Sequence, residues 1–316
     1  MTYDRADLKP SKPSKRSEGA VVSPREFYES VIALLKFEPN EQHDAQEFLQ
    51  LALQRMSKEL ALEKVGKFGQ LGAIDKEVSG ASPVQTLFGG EYINKNQCNG
   101  CPYSTTDSAK PEDFLCLSLG IPTAPEEQST AGGRKSTRSK PVKRAITLES
   151  CLEHFVSPEL VHSGGSSSKA PFCSTCGPRE GITKTLKLSK CSQYLCVQLK
   201  RFQWGPRGDY KDTTIVKPPI GKLDLGPYMT EDSGVKNTSY DLHTVIVHAG
   251  DSCSSGHYIA YTKTHDGTWW KMNDDKSSIV STEEVVNSQA YMMFFSRNDA
   301  NTDRMSMKHA KSTSSP

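Results

Sequence analysis

Apolar residues recur at helical spacing in two stretches near the start of the chain and at strand spacing through much of the remainder. The first stretch opens at Ser23-Pro24. Ser23 is expected to cap a helix with Pro24 at its first position and Glu26 in the first turn, and Phe27, Val31, Leu34 and Leu35 then share a face. After Pro39-Asn40 the pattern predicts a second helix from about Gln42 to Glu63, with Ala45, Phe48, Leu49, Ala52, Leu53 and Met56 as its buried stripe. From Val84 to Leu119 short strands broken by Gly and Pro are expected, and a short helix from Leu148 to Phe155 is capped by Thr147. Strands then dominate: Gln193 to Phe202, Leu242 to His248, Tyr258 to Thr264, Thr268 to Met272 and Tyr291 to Ser296.

Between these periodic segments the chain is polar. Residues 1–22 read as a disordered basic arm, because too little apolar surface is present to offset the entropy of ordering. Residues 122–145 form a Ser/Thr/Gly/Pro-rich run with six basic residues against two acidic ones, expected to be a disordered insertion, and a Gly-Ser run follows at 163–168. A second polar tail covers 298–316, which leaves 23–297 as the folded domain.

At 316 residues and 35% apolar, the chain can bury one large core or two modest ones. A net charge of +2 is too balanced for a dedicated nucleic-acid binder, so no nucleic-acid partner is expected. No window approaches the roughly eighteen consecutive apolar residues of a membrane span, and the first residues lack an apolar signal core, so no membrane association is expected either. The reading is an intracellular protein of the cytoplasm and/or nucleus; the basic residues at 134–144 are either a nuclear address or a solvated linker. Nine cysteines, an odd number, are expected to be reduced thiols for the most part.

Four of those cysteines form two Cys-x-x-Cys turns, Cys98/Cys101 and Cys173/Cys176. Two such turns offer four thiolates in the tetrahedral arrangement zinc prefers, and a closed four-sulfur site is structural. Redox-active or merely buried cysteine pairs are the alternative. His257, between Gly256 and Tyr258, faces Asn273 and Asp274 across a Trp-containing hairpin. An Asn or Asp accepting the ring N–H fixes the tautomer, so that the other nitrogen can take a proton from a thiol; the plainer reading is a strand-edge histidine. Asp44 and Glu47 lie one turn apart at the start of the second helix, as a pair favoured by the helix dipole or as a binding pair. Leu199-Lys200-Arg201-Phe202 ends a strand and reads as a sheet edge with a solvated basic pair.

In chain order, Gln42-His43-Asp44-Ala45-Gln46-Glu47-Phe48, Phe88-Gly89-Gly90, the two Cys-x-x-Cys pairs, Leu199-Lys200-Arg201-Phe202, Gly256-His257-Tyr258, Trp269-x-x-x-Asn273-Asp274 and Ala290-Tyr291 together resemble the ubiquitin-specific protease family over residues 24–297. The resemblance implies an α+β, papain-like cysteine protease fold with thumb, palm and zinc-bearing fingers. It implies His257 as catalytic base, Asn273 as the orienting residue and Asp274 as its support. Asp44, Glu47 and Tyr258 would meet the ubiquitin tail, and Cys98, Cys101, Cys173 and Cys176 would hold one structural zinc. Ubiquitin and ubiquitin-conjugated proteins would be the partners of a monomer.

The family's Gly-Asn-Thr-Cys box, source of the nucleophile and of an oxyanion donor, normally lies well ahead of the Gln-x-Asp segment, and residues 1–40 contain no cysteine. The expectation is a domain without its N-terminal catalytic helix, inactive as written, either shortened as a product or begun late as a gene model. Cys253, four residues before His257, would need a helix dipole and an oxyanion hole to replace that nucleophile. Two alternatives are a ubiquitin-binding pseudoprotease and a zinc-bearing scaffold that binds nucleic acid through its basic insertion. Limited proteolysis should cut first between Pro122 and Arg144, where nothing apolar anchors the chain; primary cleavage within Gln42 to Glu63 would refute the domain boundaries.

Overall fold

The computed structural model describes residues 24–38, 41–64, 82–101, 110–122, 145–161, 175, 181–205, 208–250, 252 and 255–297. The N-terminal arm, both polar runs, the C-terminal tail, Cys173, Cys176 and Cys253 therefore lie outside the described residues.

Two units compose the chain, residues 1–39 and 40–316. The first contributes one helix, α1 (Arg25–Leu35), whose N-cap position is held by Pro24 with no side-chain cap bond, one residue later than the sequence pattern predicts. Its apolar stripe is not buried within this unit: Phe27 is 62% exposed and Leu34 47%.

The second unit begins with α2 (Ala45–Lys64). This helix starts three residues beyond the predicted Gln42 because the Asp44 carboxylate accepts from the N–H groups of Gln46 (2.8 Å) and Glu47 (3.2 Å), satisfying donors that have no partner inside the helix. α3 (Pro83–Phe88) follows where the pattern predicts strand. Ser82 Oγ accepts from Gln85 N–H at 3.1 Å and Pro83 takes the first helical position, a start signal that a reading for alternation passes over.

Beyond these helices the unit is largely sheet. β1 (Gly90–Cys98), β2 (Glu112–Phe114), β5 (Glu159–Val161) and β6 (Ile182–Lys190) make a four-stranded antiparallel sheet ordered β2-β1-β6-β5. The larger sheet runs β15 (Lys276–Val280), β14 (Trp269–Asn273), β13 (His257–Lys263), β12 (Ser239–Ala249), β16 (Ala290–Arg297), β7 (Tyr194–Leu199) and β3 (Leu117–Leu119), with β11 (Lys222–Asp224) paired to β12. β4 (Ile146–Thr147) pairs with β10 (Val216–Lys217), and β8 (Phe202–Gly205) with β9 (Gly208–Lys211). α4 (Leu148–Val156) starts at Thr147, whose Oγ1 accepts from Ser150 N–H at 3.2 Å, and α5 (Thr282–Val286) starts at Ser281.

β16 lies between β12 and β7, and Ala290, Tyr291, Met292, Met293 and Phe295 are all buried. A central strand covered on both faces needs no alternation of polar residues. In β12 the register against β16 shifts between Leu242 and Thr244, which leaves His243 unpaired with that strand and breaks the alternation of its buried positions. The main core joins Leu148, Leu152, Leu195, Val197, Leu199, Tyr240, Val245, Met293 and Phe295 between the large sheet and α4.

The basic pair expected at a solvated sheet edge separates. Lys200 is exposed, but Arg201 is fully buried. Arg201 Nε donates to the Ala290 carbonyl at 2.6 Å, and Nη1 donates to those of Asp212 and Thr214 at 2.8 Å each. Burial pushes its guanidinium down to about 10, while Asp212 pulls the other way, so the group stays charged at neutral pH. Truncating it would strand three buried carbonyls. Arg201→Ala should therefore lower the urea-unfolding free energy by about 3–5 kcal/mol, and Arg201→Lys should recover only part of that because one ammonium cannot span the fork; a loss below about 1 kcal/mol would refute the clamp.

Candidate active site

His257 is the first residue of β13, paired across the β12–β13 hairpin with Ala249. Asn273 ends β14, one step past the Ala260–Met272 pair, so the hairpin brings its amide to the imidazole: Nε2 of His257 lies 2.6 Å from Asn273 Oδ1. The amide oxygen only accepts, which assigns the proton to Nε2 and leaves Nδ1 as the basic nitrogen. Asp274 begins the two-residue turn into β15 with φ of 52°, a left-handed conformation that Asp tolerates. Its carboxylate stands 3.8 Å from the same Nε2 and is 77% exposed, so water screens it.

The approach to His257 depends on Gly256. A Cβ there would overlap the ring of His248 and crowd the Ala249 carbonyl. Gly256 N–H donates to Gln42 Oε1 at 3.0 Å, which ties the strand entry to the segment leading into α2. His248 is buried edge-on to Phe202 and Tyr258, with ring centroids at 5.2 and 5.0 Å. Burial, helped by nearby Lys211, holds this ring below the usual histidine range, so it is neutral. Lys211 Nζ in turn donates to the carbonyls of His248 (2.7 Å) and Gly250 (2.6 Å), fixing the start of the loop that ends at His257.

Asp44 and Tyr258 meet through the start of α2. Ala45 N–H donates to Tyr258 Oη at 3.2 Å, and Tyr291 Oη donates to both Asp44 oxygens at 2.8 and 2.6 Å. Tyr291 Oη also accepts from Gln198 Nε2 at 3.0 Å, and Ser118 Oγ donates to Gln198 Oε1 at 2.7 Å. Burial pushes the Tyr258 phenol up to about 12 and raises that of Tyr291 further, with the Asp44 charge adding to both. Glu47 stands exposed in the first turn of α2. Sequence reasoning missed the anchoring roles of Tyr291, Gln198, His248 and Lys211; their polar atoms bond to residues far along the chain, and no local pattern encodes that.

Cys98 closes β1 and is buried, and Gly100 N–H donates to its sulfur at 3.4 Å. Cys98 pairs with Ile182 of β6, and Asn99 N–H donates to the Gly181 carbonyl at 3.2 Å, five residues after Cys176. Among the described residues no group of three or more potential metal ligands occurs. Also among them, no helix is long and apolar enough to cross a membrane.

The family model described as ubiquitin carboxyl-terminal hydrolase matches residues 5–295. The chain is 33% identical to human ubiquitin carboxyl-terminal hydrolase 3 over 290 residues, which is 87% of this chain and 52% of that protein. It is 32% identical to human ubiquitin carboxyl-terminal hydrolase 42 over 259 residues, 81% of this chain and 16% of that one. Among solved structures, a SAGA DUB module of Ubp8, Sgf11, Sus1 and Sgf73 superposes with a TM-score of 0.64 at 26% identity, covering 89% of this chain and 56% of the matched one. A SAGA DUB module bound to monoubiquitin gives 0.63 at 24% identity, over 87% of this chain and 54% of its counterpart. The chain thus spans about half the length of the first of these relatives. The shared architecture is the expected α+β, papain-like one.

The Tyr291–Asp44 contact can be tested directly. Tyr291→Phe removes the donor from a carboxylate that is still needed as a cap, and should cost about 1–3 kcal/mol in denaturant unfolding. Asp44→Asn should cost less than the sum when combined with it, and strict additivity in the double-mutant cycle would refute the link.

Proposed function

Because the chain belongs to the ubiquitin carboxyl-terminal hydrolase family, we propose that it is the body of a ubiquitin-specific, cysteine-type protease with His257 as its base and Asn273 as the residue that orients the ring. The observation that carries this reading is the 2.6 Å contact from Nε2 to Asn273 Oδ1, which leaves Nδ1 free. Nδ1 takes the proton of a thiol, and the thiolate attacks the carbonyl at the end of the ubiquitin tail. As the thioester forms, the imidazolium returns that proton to the departing amine, and water then hydrolyses the thioester with His257 again as base. Asp274, 3.8 Å from Nε2, is the proposed supporting neighbour of that pair. The thiol is that of a Gly-Asn-Thr-Cys box of the family type, which has no counterpart in residues 1–40.

Ubiquitin and ubiquitin-conjugated proteins are the proposed partners, and the cytoplasm or nucleus the working compartment. Asp44, Glu47 and Tyr258 form the proposed wall for the basic tail. Glu47 is free to turn toward it, while Asp44 and Tyr258, held by Tyr291 and Ala45, keep that wall rigid. Residues 23–297 are the proposed domain.

One zinc ion held by Cys98, Cys101, Cys173 and Cys176 is the proposed brace of the four-stranded sheet. Two observations fit: the N–H donated to the Cys98 sulfur, as a thiolate requires, and the β1–β6 register, which returns the chain beside Cys98 just after the second pair. The ion would lock the far end of that sheet and supply no chemistry to the reaction.

A ubiquitin probe with a thiol-reactive C-terminus tests the site. The chain alone should stay unlabelled, and the chain fused behind a family-type cysteine-box segment should label. In that fusion His257→Ala should slow labelling about 10²–10⁴-fold, and Asn273→Ala should slow it less. Specific labelling of the unfused chain, lost on Cys253→Ser, would overturn the proposed thiol. A fusion that folds and binds ubiquitin without labelling would favour the second reading, a binding module without chemistry. Metal analysis should return one equivalent of zinc per chain, and four freely titratable thiols would overturn the brace.

A further inference from the structure

Two cysteines that the proposed reaction does not use stand together under the start of α2. Cys116 precedes β3 and Cys196 lies within β7, and their sulfurs are 3.2 Å apart. The contact follows from the fold, since β3 and β7 run parallel with Leu117 opposite Val197, which puts Cys116 and Cys196 side by side one step earlier. Adjacent strands lie about 4.8 Å apart, inside the Cα separation of about 4.4–6.8 Å that a disulfide spans. The remaining described cysteines include Cys151 and Cys191, both buried in the main core.

The two thiols differ in access. Cys196 is 1% exposed and packs with Tyr291 and Met292. Cys116 is half-buried and lines a cleft of about 500 Å³ with Gln46, Gln50, Lys58, Asp113 and Ser118. One sulfur can thus meet a small solute while the other waits behind it, the arrangement of an attacking and a resolving thiol.

We propose that Cys116 and Cys196 form a peroxide-sensitive dithiol, with Cys116 as the attacking sulfur and Cys196 as the resolving one. The Cys116 thiolate attacks an oxygen of a hydroperoxide, the O–O bond breaks to give a sulfenic acid, and the departing alkoxide, or hydroxide from hydrogen peroxide, takes up the proton that the Cys116 thiol had released and leaves as alcohol or water. The Cys196 sulfur then displaces hydroxide from the Cys116 sulfur, and hydroxide takes the Cys196 proton to leave as water. Two thiols lose two electrons in all, and the peroxide gains them. The contact with Cys116 and burial push the Cys196 thiol well up, so Cys196 keeps its proton until that second step. The product staples β3 to β7 behind Tyr291, the residue that holds Asp44.

The test uses the whole chain. After hydrogen peroxide treatment, free thiols are capped with N-ethylmaleimide and peptides are mapped without reduction. The expected result is a Cys116–Cys196 cross-linked pair that disappears with reductant. Because the bond closes a loop across 80 residues, it should also come with a higher thermal midpoint. In Cys196→Ala, Cys116 should instead be trapped as a sulfenic acid by dimedone. In Cys116→Ser, Cys196 should remain unoxidised and the midpoint should not respond to peroxide. Both thiols capped after a treatment that oxidises other cysteines, Cys116 paired with a different cysteine, or no dimedone adduct in Cys196→Ala would each overturn the proposal.

Discussion

The carboxylate of Asp44 is the point on which the site depends. It caps α2 through two backbone N–H groups and also accepts from two phenols, that of Tyr258 and that of Tyr291, the latter 247 residues later in the chain. A short polar side chain thereby fastens the end of a 20-residue helix to the central strand of the large sheet. Tyr291 is itself held by Gln198 on the neighbouring strand, and Ala45 reaches Tyr258, the residue after His257. The imidazole and the acidic helix start are thus positioned by one connected set of hydrogen bonds. Such a set is rigid only when each buried member is satisfied.

Buried cations perform the complementary task. Arg201 gathers the carbonyls of Ala290, Asp212 and Thr214, and Lys211 those of His248 and Gly250. Ala290 and His248 lie at strand ends and Asp212, Thr214 and Gly250 outside strands, and leaving such carbonyls unmet would cost free energy that one cation meeting several at once avoids. One cation stands at the entrance to the central strand and the other at the loop before His257. Between them they hold the backbone entering β16 and the start of the loop that leads to His257.

Much of this was legible residue by residue. The Gly256-His257-Tyr258 and Asn273-Asp274 pair could be read because a tight hairpin makes sequence separation a guide to spatial separation, and Asn273 does sit against the ring. The strands expected at 193–202, 242–248, 258–264, 268–272 and 291–296 have counterparts within a few residues in β7, β12, β13, β14 and β16, whereas β6 and β15 were not anticipated. α3 was misread as strand because its signal is a cap and a proline rather than a period. Arg201 was misread as solvated for a different reason: its partners are backbone carbonyls, which carry no identity in the sequence.

By itself, then, the sequence determined local quantities: the presence of helix α2, the Thr147 cap of α4 and the hairpin that carries His257. Only the tertiary structure decided that Asp44 answers to Tyr291, that Arg201 is a clamp, that Gly256 makes room for His248, and that Cys116 meets Cys196. Contacts between residues close in sequence are fixed by backbone geometry that a few residues specify. Contacts across 80 or more residues depend on strand order and register, and these emerge from the packing of the whole core rather than from any segment of it.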